Sequence, residues 1–227
     1  MTCIIGLVEN GEVYIGADGA SSNGHFIENA RIEKVFRNGK YVIAYTSSFR
    51  MGQLLQYCIS LPDPPEKVTL KFMVEEFIEI VRDEFKKYGY SKVESNEETG
   101  GTFIVGVNNS LFHVYSDYQV GHYQDGFTVD GSGRYFAVGA MEALKDFDPE
   151  PRIARSIEIA GKFCTTVLSE GWKIIKVWKR LTNQTRCGKI LIKGGTKWNG
   201  FADIKIQKKL HDIIKRIIQQ IGISHII

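Results

Sequence analysis

Residues 2–18 read TCIIGLVENGEVYIGAD, and this stretch decides how the rest of the chain is interpreted. Its apolar first half, CIIGLV, favours a strand. Asn10-Gly11 is a strong signal for a two-residue hairpin turn, after which EVYIGA alternates into a second strand. If the two strands pair, Asp18 at the end of the second lies beside Thr2 at the start of the first.

A hydroxyl, a carboxylate and an ammonium occur at equal intervals, as Thr2, Asp18 and Lys34. Removal of Met1 would expose the α-amine of Thr2, which could then act as the base for the hydroxyl of its own residue. A lysine held near a carboxylate stays charged and lowers the cost of ionising a nearby hydroxyl. The pattern therefore predicts an N-terminal nucleophile, with Lys34 on an extended segment over residues 30–36.

Each of these three residues also has an ordinary interpretation. Thr2 could simply begin a strand, Asp18 could be a turn residue, and Lys34 could be a solvated strand lysine. Their coincidence in one short region is what favours the catalytic interpretation.

Five segments resemble, in their order and spacing, the proteasome β-type subunits and the related bacterial HslV-like threonine proteases, which are Ntn hydrolases. The resemblance covers roughly residues 2–178. The matching segments are Thr2-Cys3-Ile4-Ile5-Gly6, Gly16-Ala17-Asp18, Ile32-Glu33-Lys34-Val35, Gly100-Gly101-Thr102-Phe103-Ile104-Val105-Gly106 and Asp130-Gly131-Ser132-Gly133.

The resemblance implies an α+β fold, a four-layer αββα sandwich of two stacked antiparallel sheets. The order of predicted elements agrees, because strand runs at both ends enclose two pairs of helices. Periodicity and turn signals predict helices over residues 49–61, 69–88, 133–146 and 153–168 and a surface loop over residues 92–101.

The chain is expected to divide into a domain over residues 1–200 and a C-terminal amphipathic helix over residues 201–227. Isoleucines and leucine form one face of this helix and lysines the other. Such a helix usually packs on its own domain or on a neighbouring subunit. A basic amphipathic helix can also bind a membrane or an acidic partner, which we consider the less favoured alternative.

The resemblance assigns roles residue by residue. It implies that Thr2 is the nucleophile, that Asp18 and Lys34 assist it, and that Ser132 and Ser169 support the threonine amine, although Ser132 could instead cap a helix. It places the oxyanion donor at the backbone N–H of Ser48, and the substrate pocket at Ser21, Ile32, Thr46 and Arg50.

Two positions depart from the family pattern. Ser48 stands where the family has glycine, so its side chain could narrow the site. Thr166 stands where the family has an aspartate, and a hydroxyl supplies no negative charge to polarise the base. Both departures leave open a slow or inactive site.

The expected function is hydrolysis of peptide bonds in a peptide or protein substrate, through an acyl-enzyme at Thr2 after Met1 removal. The resemblance implies a homo-oligomer of one ring or stacked rings, and nothing in the sequence names an unfoldase partner. One alternative is a non-catalytic structural or binding subunit of the same fold. Another is an amidohydrolase acting on a small amide, with Cys3 as a less favoured nucleophile.

The 227 residues are 43% hydrophobic and 24% charged, with a formal net charge of +3, too small to indicate a nucleic-acid partner. No apolar run approaches the ~20 residues needed to span a bilayer, and the N-terminus has no signal pattern. Four cysteines without metal-ligand spacing predict reduced thiols in a cytoplasmic protein. We expect neither a metal ion nor an organic cofactor.

Overall fold

A computed structural model describes residues 2–19, 21–22, 27–28, 32–124, 126–177 and 190–192 of the chain. In chain order the strands are β1 (Cys3–Glu9), β2 (Glu12–Ala17), β3 (Ser21–Ser22), β4 (Ile27–Glu28), β5 (Val35–Asn38), β6 (Tyr41–Tyr45), β7 (Lys92–Glu94), β8 (Glu97–Thr99), β9 (Phe103–Val107), β10 (Ser110–Val114), β11 (Val120–Tyr123), β12 (Gly126–Gly131), β13 (Lys173–Val177) and β14 (Ile190–Ile192).

The helices lie between the strand runs, as expected. They are α1 (Phe49–Gln53), which continues as a π-helical turn over Leu54–Cys58; α2 (Leu70–Phe72), which continues through π-helical Met73–Phe77 into α3 (Ile78–Lys87); α4 (Arg134–Ala143); and α5 (Pro149–Phe163).

Ten of the fourteen described strands form two antiparallel sheets of five strands each, and the other four form the two-stranded pairs β3–β4 and β7–β8. The first has the order β12-β1-β2-β13-β14 and the second the order β11-β10-β9-β6-β5. The Asn10-Gly11 hairpin joins β1 to β2, and both residues have the positive φ that such a turn requires.

Side chains that alternate along each strand fill three apolar layers. On β1, Ile4 faces the second sheet and packs in the core between the sheets, whereas Ile5 faces the other way, into the core beneath α4 and α5. A third core lies between the second sheet and α1–α3 and includes Tyr41 and Phe77. The architecture is therefore the expected four-layer αββα sandwich.

The structure corrects two local expectations. Residues 92–101 contain the β7–β8 hairpin rather than a loop, because Ser95 and Asn96 adopt positive φ and turn the chain in a polar, exposed ribbon. The helix predicted over residues 153–168 begins earlier, at Pro149, and ends at Phe163. The segment after it therefore runs as a non-helical connection towards β13.

The C-terminal helix predicted for residues 201–227 lies outside the described residues, so the expected division at residue 200 stays a prediction. Within the described part of the chain, no helix combines the length and apolarity needed to cross a membrane.

Close packing of the first sheet against α5 generates a stability prediction. A Cβ added at Gly16 on β2 would lie 2.5 Å from Cγ2 of Ile153, whose β-branched side chain is stiff. We expect Gly16→Ala to lower the free energy of unfolding by about 1–3 kcal/mol through overpacking, as measured by chemical denaturation.

The matched control is Gly139→Ala on the exposed face of α4, where an added Cβ meets nothing within 4 Å. There the substitution should stabilise the protein by up to about 1 kcal/mol, because alanine favours helices. Equal effects at the two positions would contradict the described packing.

Candidate active site

Thr2 lies immediately before β1, and the sheet holds its strand on both sides. β1 pairs with β2 on one edge and with β12 on the other, where Cys3 lies opposite Gly131. Only 4% of Thr2 is exposed. The N-terminal strand is therefore an interior strand of the first sheet.

Asp18 follows β2 and lies beside the start of β1, as the hairpin predicts. The register pairs Ile4 with Ala17, so that the next residue along β2 comes opposite Cys3. The backbone N–H of Asp18 donates to the Cys3 carbonyl at 3.1 Å, and the Cys3 N–H donates to Oδ1 of Asp18 at 2.9 Å. These bonds fix the Asp18 carboxylate beside Cys3, the residue that follows Thr2 in the chain.

Lys34 reaches the same carboxylate from the second sheet. It precedes β5, and its carbonyl accepts a bond from the N–H of Tyr45 on β6. Its Nζ lies 3.0 Å from both oxygens of Asp18, and both side chains are 0% exposed. Burial lowers the pKa of the Lys34 ammonium, and the Asp18 carboxylate opposes that shift.

Ser132 contacts Thr2 from the turn between β12 and α4. Its Oγ accepts a bond from the backbone N–H of Thr2 at 3.2 Å and donates to the Thr2 carbonyl at 3.3 Å. The N-cap of α4 is Gly133, whose N–H also donates to the Thr2 carbonyl at 3.3 Å. Ser132 is therefore bonded to Thr2 and is not a helix cap.

Thr166 extends this hydrogen-bond network. Its Oγ1 lies 2.8 Å from Oγ of Ser132, and the thiol of Cys164 lies 3.3 Å from the same Oγ1. Burial acts to raise the pKa of Cys164, but hydrogen bonds with Thr166 and Ser132 outweigh it and lower the pKa below its ordinary value. The position that departs from the family pattern is thus part of the network around Thr2.

Ser169 lies in the connection that follows α5, next to a residue that contacts Asp18. The N–H of Leu168 donates to Oδ2 of Asp18 at 3.4 Å. An added Cβ at Gly161 would lie 2.5 Å from the backbone nitrogen of Ser169, so this connection packs tightly on the end of α5.

The backbone N–H of Ser48, the candidate oxyanion donor, is already used within its own turn. It donates to the Thr46 carbonyl at 2.9 Å, across Ser47, whose φ is +73°. The Ser48 hydroxyl caps α1 by accepting the N–H of Met51 at 3.4 Å. Binding an oxyanion at Ser48 would require this N–H to turn away from Thr46.

The other candidate substrate residues are only partly brought together. Thr46 is buried at the end of β6, and Arg50 is exposed on α1. Ile32 packs against the core beneath the outer helices of the second sheet. The side chain of Ser21 lies outside the described set.

Cys3 is unsuited to be the nucleophile in this structure. It is 0% exposed in the core beneath α4 and α5, and burial raises the pKa of its thiol far above the ordinary value. The reactive thiolate is therefore disfavoured.

Sequence reasoning missed a second buried polar group beside the site. His113 on β10 lies against Thr128 and Asp130 of β12, and Asp130 directly precedes the turn that carries Ser132. The detectable signal was the position of the histidine two residues after Leu111, which places both side chains on the same inward face of an otherwise apolar strand.

A surface cavity of about 500 Å³ lies elsewhere, between α3 and the β7–β8 hairpin, and none of the candidate residues lines it. Its charged groups pair with one another, as Arg82 does with Glu79 and Glu98. In the described part of the chain, no cluster of three or more histidine, cysteine, aspartate or glutamate side chains could hold a metal ion.

Models of known protein families do not match this sequence, and neither does any characterised protein sequence. Solved structures do match. BPH from Thiobacillus denitrificans in complex with epoxomicin has a TM-score of 0.65 and 22% identity, covering 79% of this chain and 100% of that one. A second structure of BPH from the same organism has a TM-score of 0.64 and 21% identity, covering 78% of this chain and 98% of that one.

Eukaryotic HslV from Trypanosoma brucei is a third similar structure, with a TM-score of 0.54 and 19% identity over 77% of this chain and 98% of that one. Identities of 19–22% establish a shared fold. The chain has the Ntn-hydrolase fold of proteasome β-type and HslV-like proteins, as its sequence motifs implied.

The buried pair of Lys34 and Asp18 generates a stability prediction. Lys34→Met removes the ammonium from a carboxylate with 0% side-chain exposure, and breaking a buried ion pair costs about 3–5 kcal/mol. Chemical denaturation at pH 7 measures the loss.

The control is Lys40→Met, which removes an ammonium that pairs with Asp63 at the surface. Exposed pairs contribute about 0–1 kcal/mol, so this variant should unfold almost as the wild type does. If Lys34→Met were as stable as Lys40→Met, breaking the buried pair would cost no more free energy of unfolding than breaking the exposed one, contrary to the prediction.

Proposed function

We propose that the chain is a threonine peptidase of the proteasome β-like type, with Thr2 as its N-terminal nucleophile. The observation that carries the proposal is the environment of Thr2. The buried Asp18 carboxylate, paired with Lys34, accepts the N–H of Cys3, the residue after Thr2, and the Ser132 hydroxyl contacts the Thr2 nitrogen. Buried ion pairs are costly to form, and they are common where a site must shift the charge of a reacting group.

In the proposed reaction, Met1 is first removed and the α-amine of Thr2 becomes free. The amine accepts the proton of the Thr2 hydroxyl as its oxygen attacks the carbonyl carbon of the peptide bond. The proton then passes to the leaving amine, the peptide bond breaks, and the acyl group remains on Thr2 as an ester. Water, deprotonated by the same amine, hydrolyses this ester and restores the hydroxyl.

The surrounding residues have separate parts in this reaction. The Lys34 ammonium lowers the cost of developing negative charge on the Thr2 oxygen, and Asp18 keeps that ammonium in place. Ser132 accepts an N–H of the amine at 3.2 Å and so orients its lone pair towards the hydroxyl. The Thr166 hydroxyl hydrogen-bonds the Ser132 hydroxyl and so limits the rotation of the Ser132 side chain.

Similarity of fold supports the same class of reaction. The similar BPH structure is described as a complex with epoxomicin, a peptide epoxyketone that can bond both the hydroxyl and the amine of an N-terminal threonine. A peptide or protein substrate follows for this chain if Thr2 reacts in the same way.

We also propose a homo-oligomer, as for the ring-forming relatives of this fold. Several large apolar side chains on α4 and α5 are exposed, among them Tyr135 and Phe163, and Phe136 stacks on Phe163 with ring centroids 5.6 Å apart. Exposed apolar patches of this kind are typical of contacts between subunits.

A non-catalytic subunit of the same fold is the second candidate function. The turn at residues 46–48 favours it, because the N–H expected to bind the oxyanion donates to the Thr46 carbonyl instead. Removing one oxyanion donor lowers kcat by about 10²–10³-fold. Such a protein would keep the fold and the buried ion pair without a competent site.

Intact mass spectrometry with epoxomicin tests the two candidates. We expect the wild-type chain to lack the mass of one methionine and to gain one adduct, and Thr2→Ser to behave in the same way. Thr2→Ala should lose Met1 and gain no adduct, because it has no nucleophilic oxygen.

The matched control is Thr165→Ala, which removes an exposed threonine close to the site and should leave the adduct unchanged. A wild-type chain that loses Met1 and never reacts would reject the peptidase and favour the non-catalytic subunit. A chain that keeps Met1 would reject the peptidase for that material.

Thr166 provides a graded prediction. Thr166→Val keeps the shape of the side chain and removes the hydroxyl that contacts Ser132 at 2.8 Å. We expect adduct formation to slow about fivefold, as for the loss of one hydrogen bond worth ~1 kcal/mol. A rate equal to that of the wild type would show that the Ser132–Thr166 contact does not orient the amine.

A further inference from the structure

His113 is a buried histidine that the proposed reaction does not use. It is 3% exposed and faces inward from β10, on the same face as Leu111. Its Nδ1 lies 2.9 Å from the Thr128 hydroxyl, and its Nε2 lies 3.4 Å from Oδ2 of Asp130. Among the described residues, Nε2 has no partner with proper hydrogen-bond geometry. The ring therefore bridges β10 of one sheet and β12 of the other, with Nδ1 bonded to Thr128 and Nε2 close to the Asp130 carboxylate.

Asp130 connects this histidine to the turn after β12. Its Oδ1 accepts the backbone N–H of Gly131 at 2.6 Å, while its Oδ2 faces the imidazole. Burial acts to raise the pKa of Asp130, but His113, the Gly131 amide and the charge of Arg134 lower it below the ordinary value. The carboxylate thus remains ionised and holds the Gly131 amide at neutral pH.

Gly131 in turn lies directly against the N-terminal residue. Its φ is +97°, and a Cβ at this position would overlap the Thr2 carbonyl. The next residue is Ser132, whose hydroxyl contacts both the nitrogen and the carbonyl oxygen of Thr2. The orientation of this turn therefore decides where Ser132 meets the amine.

We propose that His113 and Asp130 are positioning residues that hold the Gly131–Ser132 turn against Thr2 and thereby orient its amine. The inference rests on the proposed function of Thr2 for its catalytic part and on geometry alone for its structural part. Four ionisable groups lie around the pair. Tyr115 stacks on the His113 ring and contacts Tyr123 of β11, Arg134 lies 3.6 Å from Asp130, and the buried Cys3 thiol lies within the field of the Asp130 charge.

Two histidine substitutions separate the contacts of the two ring nitrogens. Gln places its amide near the position of Nε2 and so keeps a polar group beside Asp130, whereas Asn reaches only as far as Nδ1 and retains only the Thr128 contact. The rate of epoxomicin adduct formation at Thr2 should therefore fall about tenfold in His113→Asn and in Asp130→Asn, because the amine is misaligned. His113→Gln should remain within about threefold of the wild type.

The loss should appear in the maximum rate at saturating epoxomicin, while the concentration for half-maximal rate changes less than about twofold, because the pair does not touch the ligand. The double variant His113→Asn/Asp130→Asn should be no slower than either single variant. Lys71→Gln, which removes an exposed charge on α2, is the control for a general charge effect and should match the wild type. Equal rates for His113→Gln and His113→Asn would overturn the assignment.

Hydrogen exchange in the purified full-length protein tests the pair even if Thr2 does not react. Amides in peptides spanning residues 126–133 should exchange faster in His113→Asn and Asp130→Asn than in His113→Gln and the control Lys71→Gln. If exchange follows this order but the wild type forms no adduct, the positioning contact stands and the proposed reaction fails. If exchange is the same in all four variants, the inference itself is wrong.

Discussion

Lys34 and Asp18 meet in the interior of the protein with both side chains fully buried, and much of the structure serves to keep them there. Two charges removed from water are costly unless each finds close and well-directed partners. Asp18 receives them from three separate segments, namely the start of β1, the residue before β5 and the connection after α5. The contact draws together the two sheets and the return towards β13, so the site is assembled only when the whole sandwich is folded.

Local sequence patterns predicted this assembly well wherever one short segment contained the whole signal. The Asn10-Gly11 turn specified the β1–β2 hairpin, and the hairpin then determined where Asp18 lies. Apolar spacing likewise located the helices that cover the two sheets. The hairpin over residues 92–99 escaped prediction because its side chains are polar and exposed on both faces, so no alternation marked its strands.

Contacts between residues far apart in the sequence could not be predicted from such local patterns. Ser132 approaches Thr2 across 130 positions of sequence, and His113 meets Asp130 only because β10 of the second sheet lies against β12 at the edge of the first. Cys164 had no metal or disulfide pattern, and its link to Thr166 depends on where α5 ends. The turn at Ser48 was the hardest case, because the direction of a backbone N–H follows from φ and ψ and not from residue type. The family resemblance implied a position for the donor but could not give the direction of its N–H.

The burial of Thr2 has a consequence for the order of processing and folding. An aminopeptidase must thread an extended, accessible terminus into its own active site, whereas the folded sheet grips β1 along both edges and leaves 4% of Thr2 exposed. If the proposed reaction takes place, methionine removal and sheet formation would compete for the same few residues. Met1 would then have to be removed before β12, more than a hundred residues further along the chain, pairs with β1.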